Sequence, residues 1–300
     1  MSSSFEHLFT LAAAQHYPES TLYVVATPIG NVADISLRAL HVLQLVDMIA
    51  CEDKRNTATL LARYGIDKPL LAAHEHNEQA AAEKILTHLH QGARIAFVSD
   101  AGTPAISDPG VRIVTAVRAA GLRVIPLPGA SAILTALSVA GSLLEAHGGA
   151  FSFIGFLPSK AKQKDTLLRM LANHPYALVM YEVPHRITAT LTALSACLPP
   201  QRQLLIGREL TKCFEQIVTC TVAEGPGWVD ANPNHMRGEF VLMVEGAGTE
   251  GVAAYDARQI LSLLIAEMPP AKAARIAAAL TDLPRQILYE QAIALKHDVS

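Results

Sequence analysis

No uninterrupted apolar run in this 300-residue chain reaches the length of a bilayer-spanning helix, although 51% of its residues are hydrophobic. No membrane segment is expected. Charge is scarce: Asp, Glu, Lys and Arg make up 17% of the chain and sum to −3. So little charge beside so much apolar content excludes a disordered chain. It also announces no polyanionic partner, although a local basic patch suffices for one. The four cysteines, Cys51, Cys197, Cys213 and Cys220, lack zinc-type spacing and sit in apolar segments. Buried free thiols in a reducing, cytoplasmic setting are the expectation. The first twenty residues hold Glu6 and no Lys or Arg, with only a short apolar run from Leu8 to Ala14. A secretory signal is therefore not expected, and residues 1–21 read as a flexible leader.

Missing motifs narrow the chemistry. No Gly-x-Gly-x-x-Gly follows the first strand; Thr27-Pro-Ile-Gly-Asn31 stands in its place, and without those glycines the tight pyrophosphate turn of a dinucleotide enzyme is disfavoured. There is no Walker loop. Ser131, in Pro128-Gly-Ala-Ser-Ala132, lacks a nucleophile elbow and reads as a cap or ligand contact. Of twelve histidines, His88 and His90 are two apart on a helix and point to different faces. His74 and His76 flank Glu75 without a further ligand set, so no metal site is expected.

What is present is a regular alternation. Strands are expected at Leu22–Ala26, Asp47–Cys51, Leu70–Ala73, Arg94–Val98 and Arg123–Pro126, separated by helices over 35–46, from Thr57, over 78–90 and after Asp108. Asp34 is expected to cap the first helix. Asp108 and Pro109 are expected to supply the cap and first position of the last one. This pattern predicts a parallel, doubly wound α/β sheet. Gly141–Ala150 reads as a hinge. Strands follow at Phe151–Gly155, Tyr176–Tyr181 and Gln203–Gly207, and the segments 214–222 and 238–245 are expected to form an antiparallel edge. After the linker Gly246–Gly251 come three helical patterns, the last two spaced like a helix-turn-helix around Thr281-Asp-Leu283. The expected division is a leader (1–21), an N-terminal α/β domain (22–145), a C-terminal α/β domain (146–248) and a helical tail (252–300).

Acids recur at strand ends: Glu52 and Asp53, Asp100, Glu182 and Glu209. Strand ends sharing one sheet edge converge on one cleft, where Arg55, Arg186, Arg208 and Lys212 are candidates to join them. His185, between Pro184 and Arg186, reads as a hydrogen-bonding residue of such a cleft.

Thr27-Pro-Ile-Gly-Asn31, Glu52-Asp53 with Arg55, Ser99-Asp-Ala-Gly-Thr-Pro104 with Ser107-Asp-Pro-Gly110, Pro128-Gly129, Gly155-Phe-Leu-Pro158, Pro184-His-Arg186 and Arg208-Glu-Leu-Thr-Lys212 follow one another in order. That series resembles the tetrapyrrole-methylase superfamily and, within it, the branch that modifies small-subunit ribosomal RNA. The resemblance implies a two-domain class III methyltransferase fold with a small C-terminal helical domain. It implies S-adenosylmethionine-dependent methylation of a cytidine ribose 2′-hydroxyl in the decoding region of 16S rRNA, the cofactor between the domains, and a homodimer acting on the 30S subunit. Carried over residue by residue, it places the cofactor on Pro28, Ile29, Asp100, Gly102, Thr103, Ser131 and Ala132, with Met180, Tyr181 and Leu210 from the second domain. Two motifs depart from the family pattern: Cys51-Glu-Asp-Lys-Arg55 for Ala-Glu-Asp-Thr-Arg, and Pro128-Gly-Ala130 for Pro-Gly-Pro.

Abstraction of the hydroxyl proton needs a base; Asp53 is the first candidate, then Glu52, then Lys212. Arg55, His185, Arg186, Arg208 and the patch Lys160, Lys162, Lys164 to Arg169 are candidates for RNA contacts. A tetrapyrrole-methylating enzyme and a non-catalytic RNA-binding protein of the same fold are the alternatives.

Overall fold

In the computed structural model, which describes residues 2–145, 148–248, 250–281 and 283–298, short β-branched and apolar runs form two five-stranded sheets. The first contains β1 (Thr21–Val25), β2 (Met48–Cys51), β3 (Leu70–Ala72), β4 (Arg94–Val98) and β5 (Arg123–Leu127), in the order β3-β2-β4-β1-β5. Its strands pair in parallel throughout, β2 with β3 and β4, and β1 with β4 and β5. Each strand therefore ends at the same edge. The chain leaves β1 towards β2 on one side and leaves β4 towards β5 on the other, so the strand order reverses between the neighbouring ends of β1 and β4. That is where open α/β sheets form a ligand crevice.

Both faces of this sheet are covered, as its near-continuous apolar strands require. Tyr23, Val25, Ile49, Ala96 and Val98 pack against Val42 and Leu43 of helix Leu37–Leu45 and Leu61 of helix Lys54–Arg63. Leu22, Ala50, Ile95 and Phe97 pack on the other face against Ile85 and Leu89 of helix Glu78–His90 and Ile113 and Val117 of helix Val111–Ala119. The doubly wound architecture follows from those two layers.

Several expected boundaries move for local reasons. The stretch expected as a leader is helical over Ser2–Ala13. Its exit is tied down where Tyr17 donates to the Ala12 carbonyl and Arg94 donates to the Tyr17 carbonyl, at 2.8 and 3.0 Å. The first long helix is capped by Ser36, whose hydroxyl accepts from Ala39 N–H, rather than by Asp34. Asp108 is not a cap either. Helix Val111–Ala119 starts after Gly110, at φ +127°, where an added Cβ would meet the Phe97 ring at 2.2 Å. Its open N–H groups are satisfied from a different helix: the buried Glu78 carboxylate accepts from Gly110 N–H and Arg112 N–H, both at 2.9 Å. Removing it leaves two donors open beside a helix N-terminus. Glu78→Ala is expected to cost about 2 kcal/mol in urea unfolding and Glu78→Gln less, since a charge-assisted bond contributes roughly 1.5–3 kcal/mol.

The second sheet contains β6 (Phe151–Phe156), β7 (Ala177–Glu182), β8 (Gln203–Arg208), β9 (Gln216–Thr221) and β10 (Phe240–Val244), in the order β6-β7-β10-β8-β9. β6 and β7 are parallel, and β10 runs antiparallel to β7. The expected antiparallel edge of 214–222 with 238–245 is corrected: β9 is the edge, whereas β10 is interior. Every residue of β10 is buried, as a strand with neighbours on both sides and covered faces demands.

Compact units are formed by 1–139 with 207–217 and by 140–206 with 218–300. The turn between β8 and β9 thus returns to the first unit. Within Gly141–Ala150, expected as a hinge, Ser142–Glu145 is helical and residues 146 and 147 lie outside the described residues. Residue 249 of the expected linker, Asp282 of the expected helix-turn-helix corner and the chain ends 1, 299 and 300 also lie outside them. The tail has helices Glu250–Glu267, Pro270–Thr281 and Arg285–Asp298, closed around Ala257, Leu261, Ala273, Ala274, Ala277, Leu288 and Ala292. Cys51 is buried and Cys197 and Cys220 are half-buried; Cys213, expected to be buried, is exposed in the turn before Phe214.

Candidate active site

Three loops leaving the common edge are stitched into one rim. Thr27 and Gly102 exchange backbone hydrogen bonds of 2.9 and 3.0 Å, Thr27 Oγ1 donates to the Ser99 carbonyl, and Thr103 Oγ1 donates to the Ala130 carbonyl. Small residues are required for this closeness. A Cβ on Gly102 (φ +80°) would sit 3.2 Å from Ile29, and one on Gly129 would sit 2.7 Å from the Ala26 Cβ. Pro28 is buried and Ile29 half-buried beside it. Ser131 occupies the position before the short helix Ala132–Leu137 and makes no cap bond there. Pro28, Ile29, Gly102, Thr103 and Ser131 thus lie on loops of one sheet edge, with Ala132 at the start of the helix that follows.

The 208–212 turn belongs to the same unit. A Cβ on Gly30 would stand 2.4 Å from Lys212 Cγ and 3.2 Å from the Leu210 carbonyl oxygen, and Asn31 N–H donates to Thr211 Oγ1. Glu209 and Thr211 hold φ of +50° and +67° to make this turn. Lys212 is paired with Glu209 at 2.7 Å; an ammonium in that pairing has no lone pair to take a proton. Leu210 is buried, and Arg208, also buried, donates to the Phe214 carbonyl and Gln216. Arg208 therefore braces the turn instead of facing a phosphate.

Four carboxylates occupy the β2–β4 end of the edge, and they are not equivalent. Asp53 caps helix Lys54–Arg63, accepting from Arg55 N–H at 2.7 Å and pairing with the exposed Arg55 guanidinium at 3.0 Å. Those bonds hold its carboxyl below the ordinary range, which makes it a weak base. Asp100 is exposed and accepts from Asp53 N–H at 3.2 Å and Asn56 Nδ2 at 2.6 Å. Burial first, then the nearby Asp100, pushes Glu52 up, against a backbone hydrogen bond from Asp100. Asp108 is pushed up to about 6 by burial, then by Glu52 and Asp100, with the Ser99 hydroxyl opposing. Asp108, expected as a helix cap, lies two residues before Gly110, which takes the cap position. The signal against that was Gly110, a poor residue to place inside a first helical turn.

In the second unit the expected site residues separate. Met180 has its side chain in the sheet core, so it presents no side chain to a ligand. Tyr181 packs against Phe153 and Phe156, ring centroids 5.1 and 5.6 Å apart. Lys164 is buried and donates to Thr190 Oγ1 at 2.8 Å; Thr190 donates to Glu182 at 2.5 Å. Glu182 also pairs with Arg186 at 3.2 Å, and Arg186 donates to the Leu157 carbonyl. Lys164 and Arg186, both expected at RNA, are thus consumed internally. Lys160, Lys162, Arg169 and His185 are exposed. Among the described residues, no three His, Cys, Asp or Glu side chains are grouped to hold a metal ion.

Residues 21–225 match the model of the Tetrapyrrole (Corrin/Porphyrin) Methylases. The chain belongs to that family. Methyl transfer from S-adenosylmethionine is the family's chemistry, and this member carries, at residues 252–296, a match to the RsmI C-terminal HTH domain. It is 47% identical to the ribosomal RNA small subunit methyltransferase I of Xylella fastidiosa strain Temecula1, over 90% of this chain and 97% of the relative. The protein of the same name from Escherichia coli O157:H7 is 46% identical, over 92% and 95%. Uroporphyrin-III-C-methyltransferase from Thermus thermophilus shares the fold at a TM-score of 0.54 and 19% identity, covering 76% of this chain and 94% of that one.

Proposed function

We propose that this methylase transfers a methyl group from S-adenosylmethionine to the ribose 2′-hydroxyl of a cytidine in the decoding region of 16S rRNA, acting in the cytoplasm as a homodimer on the 30S subunit. The observation that carries the reading is similarity to small-subunit rRNA methyltransferases over nearly their whole length, helical tail included. No helix among the described residues is long and apolar enough to cross a membrane.

The residues at the sheet edge suit the donor. Its ammonium, sulfonium and ribose hydroxyls call for carboxylates and backbone carbonyls, and Asp100, Glu52 and the carbonyls of the Gly102 and Ala130 loops supply them. The close approach at Gly102 and Gly129 leaves backbone rather than side chains at that rim. When bound, the donor supplies an activated methyl: its S–C bond breaks as an O–C bond forms, and a neutral thioether leaves. The protein's tasks are to align the ribose hydroxyl and to take its proton. Asp100 with Pro28, Ile29, Gly102, Thr103, Ser131 and Ala132 holds the donor. Arg55, Lys160, Lys162 and His185 face phosphate.

Isotopically labelled donor incubated with 30S particles from a strain lacking the modification is expected to label one cytidine ribose. Label on a base, on a tetrapyrrole, or on no substrate at all overturns the reading.

A further inference from the structure

Phe156 ends β6, the edge strand of the second sheet, and is 47% exposed. A single exposed apolar ring is ordinary, but the strand is reshaped to put this one where it is. Residues three apart on a regular strand point to opposite faces. Phe153 pairs with Val179 and Phe156 with Tyr181, and the register slips by one residue, Ile154, between Phe153 and Gly155. That bulge brings Phe156 to the face that carries Phe153 and Tyr181, and bulges commonly re-aim a side chain beside a functional site. Gly155, at φ +72°, takes the left-handed backbone angle there. The rings meet: the Tyr181 centroid lies 5.1 Å from that of Phe153 and 5.6 Å from that of Phe156, with planes inclined at 68° and 55°.

Behind the ring the chain is pinned. Leu157 is buried in the core, and its carbonyl accepts from Arg186, which Glu182 holds at 3.2 Å. Phe156 is therefore packed on one side by Tyr181, about half open to solvent, and carried on backbone that needs no ordering when a ligand arrives. Cations follow it. Lys160 is four residues on, within about 14 Å along the chain. Lys160, Lys162 and Arg169 are exposed, whereas the acid among them, Asp165, is half-buried. A preset aromatic face followed by free cations matches single-stranded nucleic acid, whose bases stack on rings while its phosphates meet lysines. A purely apolar partner has no use for the lysines. Resting on the rRNA reading above, we infer that an unpaired base of the rRNA substrate stacks on Phe156, with Lys160 and Lys162 on the neighbouring phosphates. The contact serves binding and takes no part in the transfer of the methyl group.

Filter binding of the full chain to 30S particles tests this. Phe156→Leu keeps an apolar side chain against Tyr181 but has no ring. It is expected to weaken binding roughly 5–150-fold, the range for one stacked base. Phe156→Tyr and Phe156→Trp keep a ring and should stay within about threefold of wild type. Stacking releases no counterion, so Phe156→Leu should keep the wild-type dependence on salt, unlike Lys160→Ala or Lys162→Ala. The loss should appear in KM for the particles with kcat held, and calorimetry should show S-adenosylmethionine uptake unchanged. A photoreactive phenylalanine analogue at position 156 is expected to cross-link to 16S rRNA. Phe156→Leu binding as tightly as wild type, or a loss shared by Phe156→Tyr and Phe156→Trp, overturns the inference. So does a parallel loss of donor uptake, or a photoreactive variant that forms no cross-link to the rRNA. A wild type that does not bind 30S particles overturns the rRNA reading itself.

Discussion

Glu182→Ala is expected to lower the stability of the protein by about 3–5 kcal/mol, the cost of leaving a buried charge uncompensated. Glu182 is 2% exposed and sits between two cations, with Lys164 reached through Thr190 and Arg186 paired directly. Burial already lowers the Lys164 pKa, Glu182 opposes that effect, and Arg186 adds to it. Without the carboxylate, Lys164 keeps its desolvation and loses the larger of its compensating charges, and Arg186 is left with its bond to the Leu157 carbonyl. Because folding lowers the Lys164 pKa, the unfolded chain binds more protons between the lowered value and the ordinary one near 10.4. Stability from this group therefore rises with pH across that alkaline window, and Lys164→Met should flatten the rise. Urea midpoints for Glu182→Ala, Glu182→Gln and Lys164→Met decide the matter; a loss below about 1 kcal/mol in Glu182→Ala would show that water reaches the network.

The same network explains which parts of the molecule were legible in its sequence. The alternation around β1 to β5 was readable because most of the strands are apolar runs closed by an acid or a small residue, and three of the four helices between them stop at a glycine, Gly65, Gly92 or Gly121. Convergence of Thr27–Asn31, Glu52, Asp100 and Pro128–Ala132 then follows from parallel order alone. The division of labour among like residues was not readable. Lys160, Lys162 and Lys164 form one basic run in sequence, yet Lys164 lies four residues before Leu168 on helix Ala161–Leu171, and those two are the buried ones. Helical period carries that information, whereas a run of like charge does not. Asp53 and Asp108 part for a related reason: both precede helices, but Asp53 caps its own, whereas the helix after Asp108 has its open N–H groups taken by Glu78, thirty residues earlier. The position of β10 was hidden because interior placement is settled by pairing with β7, from Phe240 with Glu182 to Val244 with Leu178, far apart in sequence.

Salt dependence separates the two kinds of lysine. Lys160 and Lys162 are exposed, so on the rRNA reading each neutralises a phosphate and releases a counterion on binding. Lys160→Ala with Lys162→Ala is then expected to reduce the slope of log affinity against log salt by about 1.5, at roughly 0.7–0.9 per contact. The slope difference amounts to roughly an eightfold narrowing of the gap between 50 and 200 mM salt. Lys164→Met should leave the slope unchanged, because its ammonium is bonded to Thr190 in a buried position. Filter binding to 30S particles across that salt range measures both. An equal change in slope from Lys164→Met would mean that helix Ala161–Leu171 rotates or opens on RNA, exposing the face that Lys164 shares with Leu168. An unchanged slope in the double variant would move the phosphate contacts elsewhere, to Arg55 at the start of helix Lys54–Arg63 or to the helical tail.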